Sequence, residues 1–561
     1  MVTKNSRFLH LAAVISALLL LLTACGLPAS PVSQEETALP AGETQTDLPA
    51  AMPARADLAY ADMPYEHYDP ASFAPLVKTI EKAVWFGASQ KTFDSACERA
   101  EKELRYMATL SIQMQIARSA APSDGELTAE STYIDGVYRD AYNDFLYAMG
   151  RVAASSHAAL LESRYTDAQI QLFFDSLGTE TDSAGDDLYD REDALEMEYE
   201  ELISGDPVDY DAVCSLYVDL VGLRRQIAAY EGYDSYASAA YARQYARQYA
   251  PEDAAAFCQA VKTYFVPLAV SRRDEVYGRS EELYDSDRID CSPAALLSAL
   301  ETGADAFPSQ VTEACRYMEE YGLYNIDPGA DSLQTGYTAL LYAYNEPFVY
   351  NAPLGRYTDY TTLFHEFGHF VNYYCVGSDA LYGIADGDLS ELQSQGMEVL
   401  FFPFYTDFFG ARNGRIICSD VLMSLIDAVV DGAMYDEFQQ KVFSEPELTP
   451  RQVQEIYRQV YTEYGYETYD GFEEEWMDQI HNFQLPFYYI SYATSAVSAL
   501  ELCLLEQTDP DAAMADYMTV VLTDGEKEGF TQALTEANLH DPLSADTCRT
   551  VAEALDESGL L

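Results

Sequence analysis

The sequence predicts a mainly α fold: an N-terminal helical lobe, then a larger helical region that carries one small β element. Three observations predict it. Apolar residues recur at three- and four-residue spacing over most of the chain after Tyr65, which is the period of an amphipathic helix. Runs of β-branched and aromatic residues that would read as strands are sparse. The 561 residues are 48% hydrophobic, enough for a large core and too apolar for a disordered chain.

The elements follow in chain order. Lys4 and Arg7 form a basic start, Leu9 to Leu22 is almost wholly apolar, and Leu22-Thr23-Ala24-Cys25 follows at once. That run is too short for a transmembrane helix and reads as a cleaved leader. Residues 1–24 resemble a bacterial lipoprotein signal peptide with its lipobox. The likeness implies cleavage before Cys25, diacylglycerol on the Cys25 thiol, and a chain held at the bacterial cell envelope, facing outside the cytoplasm. Two acyl chains anchor far more firmly than one. An ordinary secretory leader with a chance cysteine is the alternative, and it too takes the chain out of the cytoplasm. Residues 25–57, rich in Pro, Ala, Thr, Ser and Glu, read as a flexible tether.

The N-terminal helical lobe is placed at 58–205, with helical patterns over 76–118, 134–163 and 191–203 and loops near 178–185 and 205–207. The remaining region, 206–561, opens with a helix over Leu216–Gly232. Tyr241, Tyr245 and Tyr249 recur every four residues, a spacing that stacks them on one helix face as packing. The best strand signal is Tyr337–Tyr350, with Pro353–Tyr360 as its companion. Beyond residue 390 the pattern is helical again, with breaks near 410–414 and 446–450.

Charge and cysteine content exclude several classes. Asp and Glu outnumber Lys and Arg 93 to 32, a net charge of -61, which argues against nucleic acid and against peripheral binding to anionic lipid heads. Nine cysteines remain after Cys25, widely spaced and without C-x-x-C, so neither a zinc ribbon nor a dense disulfide scaffold is indicated.

The chain spends two of its seven histidines on His365-Glu366-Phe367-Gly368-His369. On a helix, positions i and i+4 share a face, so two imidazoles can grip one Zn²⁺ while Glu366 acts as general base on a water there. A catalytic zinc usually has three protein ligands. Metzincins place a third His six residues after the second, where this chain has Cys375, and expect glycine where it has Asn372. Gluzincins take a glutamate from a following helix instead. Glu391, 22 residues beyond His369, is the expected third ligand, with Asp386 or Asp388 as alternatives. Glu398 lies on the same helical face as Glu391 and is expected to fix a histidine tautomer through the other ring nitrogen. Downstream, His481, Tyr488, Tyr489 and Tyr492 cluster. A phenol or imidazole there can donate to the oxyanion of a tetrahedral intermediate.

Together these residues resemble the oligoendopeptidase F and thimet oligopeptidase family of zinc metallopeptidases, more closely oligoendopeptidase F. Four ordered blocks carry the likeness: Leu223–Ala228 with Gly232–Tyr236, Thr362–His369, Glu391–Glu398 and His481–Thr494. The resemblance implies a two-lobed helical fold with zinc at the bottom of a deep channel, and cleavage of short, unstructured oligopeptides. It implies that His365, His369 and Glu391 bind zinc, that Glu366 is the base, and that His481, Tyr488 and Tyr492 contact substrate or oxyanion. The stretch around Tyr344–Tyr350 is expected to offer a strand edge to peptide main chain. Asn372 departs from the histidine of many relatives, and the export signal departs from cytoplasmic members. A zinc carboxypeptidase or dipeptidyl carboxypeptidase is the enzymatic alternative. A catalytically dead peptide-binding lipoprotein is the non-enzymatic one.

Overall fold

The computed structural model describes residues 55–561 other than 178–182, 206, 285–288, 327–328, 330–331, 379–380 and 383–385. The leader at 1–24, Cys25 and the tether as far as residue 54 lie outside the described residues. Helices dominate, and the described strands form one three-stranded sheet.

The first helices are α1 (Ala74–Phe86), α2 (Gln90–Ala120) and α3 (Gly125–Ala153). The pattern over 76–118 is split between α1 and α2. Gly87 takes a left-handed φ of 64°, and the Ser89 side chain caps α2 by accepting from the amide of Thr92. Helices α4 (Asp167–Asp175), α5 (Ser183–Ile203) and α6 (Tyr210–Tyr230) follow.

The tyrosine repeat departs from its expected form. Its chain makes a π-helical turn at Ala240–Gln244 and then leaves helix, with Ala246 at a left-handed φ of 49°. Tyr241, Tyr245 and Tyr249 therefore do not stack on one helix face; their rings converge on the buried Arg247.

Helices α7 (Pro251–Tyr284), α8 (Pro293–Ala304) and α9 (Ser309–Glu320) lead to the sheet. Residues 251–283 are long and apolar enough to cross a membrane, yet half of the most apolar stretch is buried inside the protein. Arg273 of α7 pairs with Asp427, Nη2 to Oδ1 at 2.6 Å, across a packed contact between two core helices.

The strands are β1 (Tyr324–Asn325), β2 (Gly336–Leu341) and β3 (Glu346–Asn351), in the order β1-β3-β2. β2 and β3 form an antiparallel hairpin in which Tyr337 faces Tyr350 and Thr338 faces Val349. Every residue of both strands is buried, because helices cover both faces. On one face the Tyr337 and Tyr350 rings stack at 5.0 Å, and their hydroxyls bond Ser119 at the end of α2. Thr338 points to the opposite face, by the two-residue alternation of a strand.

Two expectations are corrected here. Pro353–Tyr360 is not a strand: the Asp359 carboxylate accepts from the amides of Leu354 and Arg356, both at 2.8 Å, and closes a loop into the next helix. The open strand edge does not belong to 344–350 either. β3 lies between β1 and β2, so among the described residues β1 and β2 each have one edge without a partner strand. The chain before the first helix docks on this hairpin, with the amide of Ala56 on the carbonyl of Tyr344 and the amide of Asp57 on Glu346 Oε1.

After the sheet come α10 (Thr358–Cys375), α11 (Gly387–Leu400), α12 (Ala411–Ser444), α13 (Pro450–Glu463), α14 (Ile490–Glu506), α15 (Pro510–Val521) and α16 (Ala545–Ser558). The nine described cysteines are all free thiols, most of them buried. α10 is buried from Asp359 through Asn372, as a core helix must be when apolar residues surround it.

α10 meets α11 backbone to backbone. A Cβ at Gly368 would lie 2.6 Å from the carbonyl oxygen of Gln393 and 2.7 Å from Cα of Ser394. This contact carries a prediction. Gly368→Ala should force the two helices apart and lower the thermal unfolding midpoint, since overpacking a core costs about 1–3 kcal/mol. A midpoint equal to wild type would show that the helices have room to spare.

Candidate active site

The close approach at Gly368 brings His365, His369 and Glu391 together. Their ligand atoms all lie within 4.8 Å of one another, and His365 Nε2 is 3.5 Å from Glu391 Oε2. A tetrahedral zinc with bonds of about 2.0–2.1 Å sets its ligand atoms about 3.3 Å apart. Two imidazole nitrogens and one carboxylate oxygen at this spacing fit that ion. Asp386 and Asp388 are engaged elsewhere. Asp386 caps α11 through the amides of Asp388 and Leu389, and its other oxygen accepts from Phe530 N at 2.8 Å.

The ring nitrogens are sorted by their neighbours. His365 Nδ1 is 2.7 Å from Glu398 Oε1, which leaves Nε2 facing Glu391. His369 Nδ1 is 3.4 Å from Ser390 Oγ, so its Nε2 is likewise the nitrogen left for a metal. The glutamate seven residues after Glu391 thus reaches the imidazole as the helical spacing requires.

Three carboxylates, Glu366, Glu391 and Glu398, are buried around these imidazoles. Burial pushes the Glu366 carboxyl up to about 7, with the nearby negative charges of Glu391 and Glu398 adding to the rise. Burial raises Glu391 too. Burial would keep His365 neutral, but the hydrogen bond and charge of Glu398, with Glu366 and Glu391, lift it to about 9. His369 goes the other way, well below its usual value, through burial and the neighbouring His365. The carboxylates thus call for positive charge, and a dication fits where a proton on His365 otherwise serves.

Protein donors hold these glutamates, and Glu391 has one at each oxygen, the second being Ser394 Oγ at 3.4 Å from Oε2. Tyr488 donates its hydroxyl to Glu391 Oε1 at 2.7 Å, leaving Oε2 toward His365. Thr338 reaches Glu366 Oε2 at 2.9 Å, and Glu366 Oε1 is buried without a partner. His481 and the tyrosines adjoin this group. Its ring centroid is 5.7 Å from that of Tyr488 and 6.1 Å from that of Tyr492, and the latter two rings are 5.3 Å apart. His481 Nδ1 is 3.1 Å from Gln479 Oε1, while Nε2 is buried and unpartnered. Burial drives the His481 imidazole down to about 3, so it is neutral. With Nδ1 donating to the amide oxygen, Nε2 presents a lone pair. The Tyr489 ring lies 5.1 Å from that of His481, and its hydroxyl accepts from Gln479 Nε2 at 2.6 Å.

Sequence reasoning missed the groups that hold this stretch in place. Arg247 lies 4.5 and 4.6 Å from the ring centroids of Tyr241 and Tyr245. It donates to Ser491 Oγ at 2.8 Å, and pairs with Asp388 at 3.4 Å. The Tyr245 hydroxyl donates to the carbonyl of Pro486 at 2.8 Å, and that of Tyr249 to Asp388 Oδ2 at 2.7 Å. Arg224, held by Glu192 and Glu196, donates to the carbonyl of Phe483. Phe487 sits at a left-handed φ of 68°, with its amide on Gln439 Oε1. The repeated tyrosines and the Arg224-Arg225 pair were the available signals. Asn372 ties α10 to the end of α15, where its side-chain amide donates to the carbonyls of Val521 and Thr523 at 2.9 and 3.0 Å.

Peptidase family M3 matches residues 309–553, a span that takes in the sheet, α10, α11 and the His481–Tyr492 stretch. No curated protein matches the chain. Among solved structures, one described as oligoendopeptidase F is similar at a TM-score of 0.74 and 22% identity, over 89% of this chain and 98% of that one. PZ peptidase A, solved with an inhibitor, is similar at 0.72 and 18%, over 88% and 98%. A structure from Bacillus anthracis str. Ames, also described as oligoendopeptidase F, is similar at 0.69 and 18%, over 89% and 97%. These likenesses establish the fold, and the family match falls on the residues that build the site. The residues that build the site match peptidase family M3, and that match supports a metallopeptidase.

Proposed function

We propose that the chain is a zinc-dependent endopeptidase that hydrolyses short, unstructured oligopeptides outside the cytoplasm. The observation that carries this reading is the buried group of His365, His369 and Glu391 with Glu366 beside it, one carboxylate oxygen unpartnered. Zinc bound there would supply a Lewis acid that polarises the scissile carbonyl and makes a water acidic near neutral pH. Glu366 takes the proton of the attacking water on Oε1 and later passes it to the leaving amine. Glu398 holds the His365 tautomer through Nδ1. Tyr488 commits its hydroxyl proton to Glu391, so Tyr492 is the phenol left to meet the oxyanion, a contact worth about 2–4 kcal/mol in known cases. His481, neutral and with its lone pair on Nε2, accepts from an N–H of the substrate.

The edge of β2 without a partner strand suits an extended peptide, whose main chain would add to the sheet next to Glu366. Preference for short substrates, and the deep channel that would enforce it, rest on the likeness to structures described as oligoendopeptidase F. The address rests on residues 1–25, whose leader and Cys25 support export and a lipid anchor. No contact with nucleic acid is expected at this net charge.

Three measurements test this reading. Glu366→Gln should lower kcat by about 10²–10⁴-fold while the chain keeps one zinc, whereas Glu391→Ala should lose the metal; retained turnover in the first would remove Glu366 as base. In a peptide-length series with blocked and free C-termini, cleavage should fade as peptides lengthen and should not need a free carboxylate. Rapid cleavage of casein would contradict the channel, and a strict need for the carboxylate would make it a carboxypeptidase. Cells fed labelled palmitate should label the wild-type protein and leave Cys25→Ser unlabelled; no label in the wild type would dispose of the lipid anchor.

A further inference from the structure

We infer that Thr338 on β2 is the positioning residue for Glu366: its hydroxyl holds Oε2 and so makes Oε1 the oxygen that exchanges protons. The inference rests on the reading of Glu366 as general base. The Oγ1 of Thr338 lies 2.8 Å from the main-chain carbonyl of Glu366 and 2.9 Å from its Oε2. Both residues are buried. The single hydroxyl proton is thus shared, as a three-centre bond, between the backbone carbonyl and the carboxylate of the base. The carboxylate torsion of a glutamate is soft. A threonine, branched at Cβ, is stiff at χ1 and well suited to fix it.

The rest of the strand supports the assignment. Glu366 Oε1 is buried with no partner, so the oxygen not held by Thr338 is the one left for water. Gly336, two residues earlier on the same face, keeps the space beside it clear; a Cβ there would lie 3.5 Å from Oε1 and 2.5 Å from the methyl of Thr362. The register that places Thr338 is fixed from the opposite face. Tyr337 and Tyr350 are cross-strand partners, and both bond Ser119 of α2. A slip of one residue would turn Thr338 away from Glu366 and Tyr337 toward it. α2 therefore fixes, through β2, the orientation of a carboxylate on α10.

The test is a set of variants in the full zinc-loaded chain, each assayed for kcat, KM and zinc content on one peptide substrate. Thr338→Val keeps shape and loses the hydroxyl. It should lower kcat by about 10–100-fold, as misplacement of a reacting group does, with KM within about threefold and zinc content unchanged. Thr338→Ser should restore kcat to within about threefold of wild type. Combined with Glu366→Gln, Thr338→Val should change the residual turnover by less than about twofold, because no base is left to orient. Wild-type kcat in Thr338→Val would overturn the inference, and so would a Ser variant as impaired as the Val variant. If Thr338→Val fails to fold, the comparison of Thr338→Ser with Thr338→Ala decides on the same terms. Full turnover in Glu366→Gln alone would instead overturn the general-base reading beneath it.

Discussion

Three carboxylates buried around two imidazoles are the constraint on which the rest of this structure depends. In a dry interior, like charges repel strongly and each unpaired oxygen is costly. The protein meets that cost by giving each glutamate a donor. Thr338 reaches Glu366, Tyr488 reaches Glu391, and the His365 ring meets Glu398. In Glu366 and Glu391 the second oxygen is turned inward, toward chemistry in one and toward the paired histidine in the other. The donors come from a strand, a loop and a helix far apart in sequence, so the site exists only in the assembled fold.

The donors must themselves be held. Tyr488 follows a residue at strained φ, and its loop is secured on several sides: Arg224 on the carbonyl of Phe483, Tyr245 on that of Pro486, and Gln439 on the amide of Phe487. Arg247, itself buried among tyrosine rings, links that loop to the start of α11 through Ser491 and Asp388. Glu391 and the tyrosine that holds it are thereby set by one shared anchor. A site built this way keeps its geometry without reorganising when a substrate arrives, which is the condition for electrostatic catalysis.

Much of the centre was legible in the sequence, because helical spacing is local. His365 and His369 four apart, and Glu391 and Glu398 seven apart, share faces by geometry alone, and both pairs meet as that geometry requires. What was not legible depends on tertiary context. The four-residue tyrosine repeat mimics a helix face, yet a π turn and the left-handed Ala246 fold it around Arg247. Pro353–Tyr360 has the residue types of a strand but is bent into a loop by the buried carboxylate of Asp359. Thr338 had no signal at all: one hydroxyl in an apolar run acquires meaning only when α10 packs across it.

The central claim is that His365, His369 and Glu391 together hold one zinc. X-ray absorption at the zinc edge of the metal-loaded chain tests it most directly. The expected spectrum is that of a four-coordinate ion with two imidazole nitrogens and oxygen ligands, all at about 2.0–2.1 Å, and no sulfur. A sulfur shell near about 2.3 Å, or a spectrum without imidazole, would contradict it.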